Sequence, residues 1–438
     1  MITKKIPVAL FVVAALIAGS ALLRKDPIPD AAAVPLPDPQ VMLANGHGYR
    51  SLEEVAATWR ARVRQNPDDY LSRTRLGRTL LALARETGDL SLYGRAEAHL
   101  RTASAAAAND VSAATGLAAS LSAQHEFTDA LDRLREIRAE WPDDPSIQAA
   151  IADAHIDLGQ YQTAFAAIDD LARAFPGTAA TLSRQARVAA LTGHDDQAVE
   201  LSAQALVVTA NIGVRPSDAA SSWFQMAFFQ HQAGSVDLAE QSLRSGLSID
   251  PRHLPSRELL GKVLVAQGRL DRAADLYEDI LEVTPAADLH GLLAEVYEAQ
   301  GRDEDATEQN RLGTQVADQQ VGRFPAERRH LASFFADTDP ERFLELMEQD
   351  VATRRDVYGL DLLAWAQFLN GDEDAALETS RDAMRLGTED APMLFHAGMI
   401  ELAAGDESTG RGLLERALAV NPGFDLRDVA AAEDALAD

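Results

Sequence analysis

The feature that most limits what this 438-residue chain can become is a set of three residue ladders that recur about every 34 positions from residue 110 onward. The first runs His125, Gly159, Gly193, Gly234, Gly268, Gly301, Gly371 and Gly405. Glycine there ends a helix in the left-handed region at no steric cost, so a second helix can fold back on the first. His125 stands where the others have glycine and is expected to be slightly strained or differently capped. The second ladder follows five residues later: Ala130, Ala164, Ala198, Ala239, Ala273, Ala306 and Ala376, with Gly410 in the last unit. A small side chain at that phase lets two helix backbones approach, and a bulky one forces them apart. The third ladder, Pro142, Pro176, Pro251, Pro285 and Pro422, ends the second helix, because proline cannot continue a helix interior. Length alone is compatible with two or three globular domains, whereas a fixed period means an array.

About ten units fit, starting near Tyr70, with a lone helix at residues 51–65 ahead of them and a closing helix after Phe424. Polar residues such as Asp195, Asp271 and Asp303 follow the breaks, where a carboxylate satisfies the free amides of a helix start. Calcium binding by residues 303–305 or 337–341 is the sharper reading of those acids, but neither run has the spaced ligands and glycine of an EF-hand loop. Extra residues occur around 86–91, and the step from Gly193 to Gly234 is 41 residues. Between Gly301 and Gly371 one unit lacks its glycine and reads as a repeat only through Leu331, Phe334, Phe335, Phe343, Leu346 and Met347. The array is therefore either continuous there or split into two rigid blocks, giving expected segments 51–318, 319–356 and 357–438.

In these features the chain resembles the tetratricopeptide repeat family, whose 34-residue pattern runs Trp-x2-Leu-Gly-x2-Tyr, Ala-x3-Phe and Pro. The fullest match is Leu260, Gly261, Leu264, Gly268, Ala273, Tyr277 and Pro285, with Trp223 supplying the tryptophan of the preceding unit. The resemblance spans roughly three quarters of the chain. It implies an all-α fold, an α-solenoid forming a right-handed superhelix, with the first helix of each hairpin lining a concave groove that binds a peptide or partner protein. Carried onto this sequence, that orientation places Phe224, Phe228 and His231 on the groove wall, then Glu258 and Lys262, then Glu295 and Glu298. The last two full units add Tyr358, Asp361, Trp365 and Phe368, then Phe395 and Met399. Large aromatics suit a binding hot spot, and at helical spacing they serve equally as packing between hairpins. Family members that grip acidic chaperone tails use Lys and Asn on this wall; here the wall offers Ser183, Arg187, Phe224 and Phe228, so that clamp is missing.

Two lysines precede residues 6–23, an uncharged and mostly apolar run that as a helix would extend about 27 Å and just cross a bilayer core. We expect a membrane anchor, or alternatively a signal cleaved near Gly19-Ser20-Ala21, in segment 1–25, with the array periplasmic or extracellular. Segment 26–50 is expected to be an extended linker, since Pro27, Pro29, Pro35, Pro37 and Pro39 deny helix.

The net charge is −28, which makes nucleic acid and anionic membrane surfaces poor partners. No cysteine is present, which excludes disulfides, thiolate metal sites and cysteine nucleophiles. The ten histidines are scattered without metal-ligand spacing, and Gly261-Lys262-Val263 lacks the flanks of a phosphate loop. No cofactor, metal or catalytic residue is expected. The leading expectation is a non-catalytic scaffold binding a protein or peptide partner. Alternatives are a subunit of an envelope or cytochrome maturation machine, which the resemblance also allows, and a small-ligand receptor or enzyme centred on His231, Glu258 and Lys262.

Overall fold

A computed structural model describes residues 35–45, 50–321, 328–336 and 338–437, in which there are 23 α-helices and no strand. Helix α1 (Pro39–Asn45) and α2 (Leu52–Gln65) precede ten antiparallel hairpins. Hairpins 1 to 5 are α3–α4 (Tyr70–Thr87, Ser91–Ala106), α5–α6 (Val111–Ala123, Phe127–Glu140), α7–α8 (Pro145–Asp157, Tyr161–Ala174), α9–α10 (Ala179–Leu191, Asp195–Ile212) and α11–α12 (Pro216–Gln232, Val236–Ile249). Hairpins 6 to 10 are α13–α14 (Leu254–Ala266, Leu270–Leu281), α15–α16 (Ala287–Ala299, Asp303–Val321), α17–α18 (Arg328–Phe334, Pro340–Val351), α19–α20 (Val357–Leu369, Glu373–Ala383) and α21–α22 (Ala391–Ala403, Glu407–Val420). Helix α23 (Leu426–Ala437) closes the array.

The ladders act as the period requires. Every break glycine has positive φ, and His125 at φ 59° is the one non-glycine residue that does so among those described. Ala130, Ala164, Ala198, Ala239, Ala273 and Ala376 are fully buried. Gly410 keeps the same place because a Cβ there would strike Leu402. Asp69, Asp110, Asp144, Asp356 and Asp390 cap helix starts through backbone amides two or three residues on. Of the acids weighed for calcium, Asp303 sits in the first turn of α16, and Asp339 accepts the Arg342 amide as the cap of α18.

The departures have local causes. The long step between Gly193 and Gly234 is taken up by α10 and α11, at 18 and 17 residues against 13 for α9 and 14 for α12. In hairpin 8 the first helix shrinks to 7 residues and turns at Phe335-Ala336. Packing nevertheless runs across it: Ala317, Leu331, Ala332, Phe335, Phe343, Met347, Val357 and Leu360 belong to one apolar cluster.

Successive first helices pack on each other, α3 on α5, α5 on α7, α7 on α9, α11 on α13 and α19 on α21, so they form the inner layer. The coil then closes on itself. The turn inside hairpin 3 meets the start of hairpin 9, where the Val357 amide donates to the Tyr161 hydroxyl oxygen at 2.8 Å. The turn of hairpin 4 meets the start of hairpin 10, where the Thr388 hydroxyl donates to the Leu191 carbonyl at 2.7 Å. Hairpin 5 meets the approach to α23, where Asn421 donates to the His231 carbonyl at 3.1 Å. Each contact joins elements six units apart, so one superhelical turn rests edge to edge on the next.

One expectation is corrected. Residues 35–45 are not wholly an extended stalk: Asp38 accepts the amide of Gln40, Pro39 occupies a first-turn position where its missing N–H costs nothing, and α1 follows. Met42 is buried against Leu206, Ala219, Trp223, Met226 and Ile249. The expected anchor or signal at 1–25 lies outside the described residues; among those described, no helix is long and apolar enough to cross a membrane.

Candidate functional site

The inner wall falls into a paired half and an acidic half. In hairpins 3 and 4, Arg184 reaches the Asp153 carboxylate at 2.5 Å and Arg187 reaches Asp157 at 2.6 Å, so each cation finds an anion on the neighbouring first helix. Burial opposes the Arg187 charge, and Asp157 and Asp153 outweigh it, so its pKa rises.

The other half is built by α11, α13, α15, α19, α21 and α23. His231, Glu258, Lys262 and Glu295, which the sequence placed on the wall, do come together. Burial and then Lys262 push His231 down to about 4. Burial and then Asp288 push Glu258 up to about 8, against Lys262. Lys262 is lowered by burial, opposed by Asp288, Glu295, Glu258 and Asp425. Each of these four residues is half-buried. Glu298 pairs with Arg427 of α23.

Phe228, Tyr358, Phe368 and Met399 are likewise half-buried on first helices. Burial raises the Tyr358 pKa, Asp390 adds to the rise, and a hydrogen bond with Gln232 counters it. Gln232 also donates to Asp390 at 3.1 Å, tying hairpin 5 to hairpin 10.

Four of the expected groove residues are interior instead. Phe224, Asp361, Trp365 and Phe395 are 2 %, 6 %, 0 % and 0 % exposed, which corrects their placement on an open wall. Trp365 stacks on Phe368 at 5.1 Å and on His396 at 4.5 Å between ring centroids, and Phe395 lies 5.7 Å from it. His396 in turn holds the Asp361 carboxylate at 2.9 Å. The aromatics there fill the joint between hairpins 9 and 10, the packing role their helical spacing also allowed.

Sequence reading missed Asp288 and Arg427, half-buried on the wall, and Tyr277, Asp425 and Asp428, which are buried behind it. Asp288 lies seven residues before Glu295 on α15, a spacing that puts both on one helix face. Asp425, Arg427 and Asp428 belong to the closing segment, which reaches the wall only because the coil turns back on itself. Among the described residues no group of three or more His, Asp or Glu could hold a metal ion.

A solenoid of helical hairpins whose first helices line the inside defines a class, the α-helical repeat proteins. Within it, a model described as tetratricopeptide repeat matches residues 115–179, and one described as the cilia and flagella-associated protein 70 middle TPR-like domain matches residues 186–317. Over residues 115–179 and 186–317 these matches support a tetratricopeptide-repeat protein. No curated protein matches it significantly. Among solved structures, the human IFIT1 dimer with m7Gppp-AAAA is similar at 18% identity and TM-score 0.49, over 77% of this chain and 76% of that one. A tetratricopeptide repeat protein from Parabacteroides merdae is similar at 18% identity and TM-score 0.38, over 54% and 91%. MamA is similar at 17% identity and TM-score 0.33, over 39% and 97%.

Proposed function

We propose that this chain is a non-catalytic scaffold that holds a protein partner against the inner wall of its coil, at Phe228, His231, Glu258, Lys262, Glu295, Tyr358 and Phe368. The supporting observation is that these side chains, from two successive superhelical turns, mix aromatic area with charge and keep some solvent exposure while their neighbours Phe224, Trp365 and Phe395 are sealed behind them. Aromatic anchors beside charged groups are what a specific interface needs. On the same face of α11, Ser221 lies 3.1 Å from His253, but its hydroxyl donates to the Ser217 carbonyl at 2.8 Å, so its proton is held by the backbone and not by the imidazole, which favours binding over catalysis. An acidic wall also disfavours a phosphate backbone as the bound partner.

The test is affinity capture from the native source with the full chain, followed by quantification of one identified partner. Phe228→Ala and Phe368→Ala are expected to lower capture at least tenfold; because both rings also pack against the apolar clusters, capture is compared at a temperature where circular dichroism shows each variant folded. Undiminished capture by both variants removes the wall as the binding surface.

We further propose that residues 6–23 direct the array out of the cytoplasm, anchored in the membrane. The support is the uncharged apolar run behind Lys4 and Lys5. Recovery of the full chain from a cytosolic fraction overturns this.

A further inference from the structure

Charge is divided unevenly along this chain. Residues 50–101, which form α2, α3 and most of α4, hold ten arginines against seven acids, whereas residues 102–438 hold 26 basic residues against 58 acids. Downstream, arginines meet carboxylates on neighbouring helices, as Arg269 meets Glu240 at 2.8 Å and Arg342 meets Asp318 at 2.6 Å. At the amino end Arg101 holds Glu97, and among the described residues Arg60, Arg64, Arg73 and Arg95 hold no carboxylate. Spacing is one reason: Arg60 and Arg95 have no acid three or four places away on their own helices, where a partner would sit.

Contacts join these four into one face. Arg60 and Arg64 lie a turn apart on α2. Arg73 donates from Nε to the Pro67 carbonyl at 2.6 Å, which fixes it over the turn that leaves α2, and its guanidinium lies 3.4 Å from Nδ1 of His99 on α4. Arg95 sits one turn before His99 on that helix. Burial, then Arg73, Arg95 and Arg60, lower the His99 pKa, in keeping with guanidiniums that approach the imidazole from α3, α4 and α2. Arg64 and Arg95 are exposed, and Arg60 and Arg73 are half-buried.

We propose that this face, Arg60 and Arg64 of α2, Arg73 of α3 and Arg95 of α4, rests on the anionic headgroups of the bilayer that holds residues 6–23, an inference that rests on the anchor reading. Two arguments select that occupant. Exposed charges are screened beyond about 8 Å at physiological salt, so a planar surface under the amino end meets the arginines before the acidic body, and the net charge of −28 does not decide the contact. A long polyanion lying along the coil would meet the acidic body instead. The sequence ahead of the fold also delivers a membrane to this end. Eleven residues, at most about 40 Å when extended, separate Leu23 from Pro35, and the arginine-bearing helices α2 to α4 follow α1 directly. A tether of that length raises the effective concentration of headgroups at the face, so individually weak contacts add up. Attraction at the basic end and repulsion of the acidic body act together, and the coil stands on its amino end.

Because the chain has no cysteine, one fluorophore can be placed at will. Ala98→Cys, exposed between Arg95 and His99, carries it on the full chain, reconstituted into nanodiscs of phosphatidylcholine alone or of an equimolar mixture with phosphatidylglycerol. A quencher on the lipid headgroups reads the distance of the label from the surface. Quenching is expected to be at least threefold stronger in the anionic discs and to be lost in molar salt. Arg60→Glu combined with Arg95→Glu is expected to abolish the difference, while Arg272→Glu, at an exposed arginine of α14, leaves it unchanged. A label at Ala430→Cys on α23 is expected to stay unquenched in both discs. Equal quenching in the two discs, or anionic quenching that survives the charge reversal, overturns the proposal. So does release of the label from the surface by a polyuridylate oligomer at matched phosphate concentration, which assigns the face to nucleic acid. A chain that does not enter the discs removes the anchor and this inference with it. A chain that enters them with its label at residue 98 remote from the headgroups removes this inference alone.

Discussion

At Arg329 one guanidinium, 3 % exposed, holds two carboxylates: Asp350 at 2.6 Å and Asp356 at 2.6 Å. It lies over Gly359, where a Cβ would strike it, so glycine is needed there for room. Burial pushes the Asp356 carboxyl up and the Arg329 charge outweighs that, so Asp356 stays below its usual range. Arg329→Ala leaves Asp350 with Arg354 at 2.8 Å and strips Asp356 of its buried ion pair. The expected loss is about 3 to 5 kcal/mol, read from urea unfolding, with Arg329→Lys recovering only a fraction because an ammonium cannot fork between two carboxylates. His231 makes the second residue-scale prediction. Its folded pKa of about 4 lies below the unfolded value of about 6.5, so between those pH values the unfolded chain binds the extra proton and stability rises with pH. His231→Gln is expected to flatten the melting temperature profile between pH 4 and 6.5; an unchanged slope there means that other groups set it. Neither residue's state was legible in the sequence. An arginine in a degenerate repeat reads as a solvated charge, whereas His125 was legible because its place in the glycine ladder demanded a left-handed residue.

At the scale of elements, hairpins follow from local rules and are read off directly: a glycine or its substitute, a small residue five positions on, a proline at the end. Helix α1 escaped because five prolines in one stretch outweighed its one start signal, Asp38-Pro39, which in retrospect is an ordinary helix N-terminus. Helix α17 was read only through the apolar phase of Leu331, Phe334 and Phe335, because a seven-residue helix shows too little period to define its ends. The docking of α1 is also what the enlarged step between hairpins 4 and 5 accommodates. Leu206 of the lengthened α10 and Ala219 and Trp223 of α11 form the seat that Met42 fills, separate from the main apolar clusters. Because α1 touches the array at α11 and α12, its release does not require the hairpins to open. Met42→Ala is therefore expected to leave the main unfolding transition within about 1 kcal/mol, below the 2 to 5 kcal/mol of a typical core methionine truncation. Amide exchange and proteolysis at residues 35–45 should rise at least tenfold. A large drop in global stability with no local change would mean that α1 belongs to the cooperative core.

At the scale of the whole molecule, a helical-repeat array is expected to be a sum of nearest-neighbour terms, in which a lesion fades beyond the adjoining repeats. This coil departs from that rule because its turns touch, and the break glycines divide into two kinds. At Gly268, Gly301, Gly371 and Gly405 a Cβ would meet nothing within 4 Å, so only the left-handed backbone requires glycine. At Gly159, Gly193 and Gly234 a Cβ would collide with the carbonyl oxygens of Arg355, Gly387 and Val420 on the next superhelical turn. The sequence cannot separate the two kinds, since its period encodes contacts between neighbours and contacts six units away leave no mark in it. That is also why the wall was expected to be an open groove and why Asp425 and Arg427 went unassigned. Asparagine tolerates the left-handed region, so Gly371→Asn is expected to cost about 1 kcal/mol and to loosen only hairpins 8 to 10. Gly193→Asn makes the same local change and must in addition push the two facing backbones away from each other, for about 1 to 3 kcal/mol more. Its signature is spatial. Amide exchange should quicken in hairpin 4 and, nearly two hundred residues away, at residues 387–394 of hairpin 10, with hairpin 7 between them unaffected. If instead the disturbance decays evenly along the chain from residue 193, the turns act independently, and stacking between them contributes nothing to the stability of the coil.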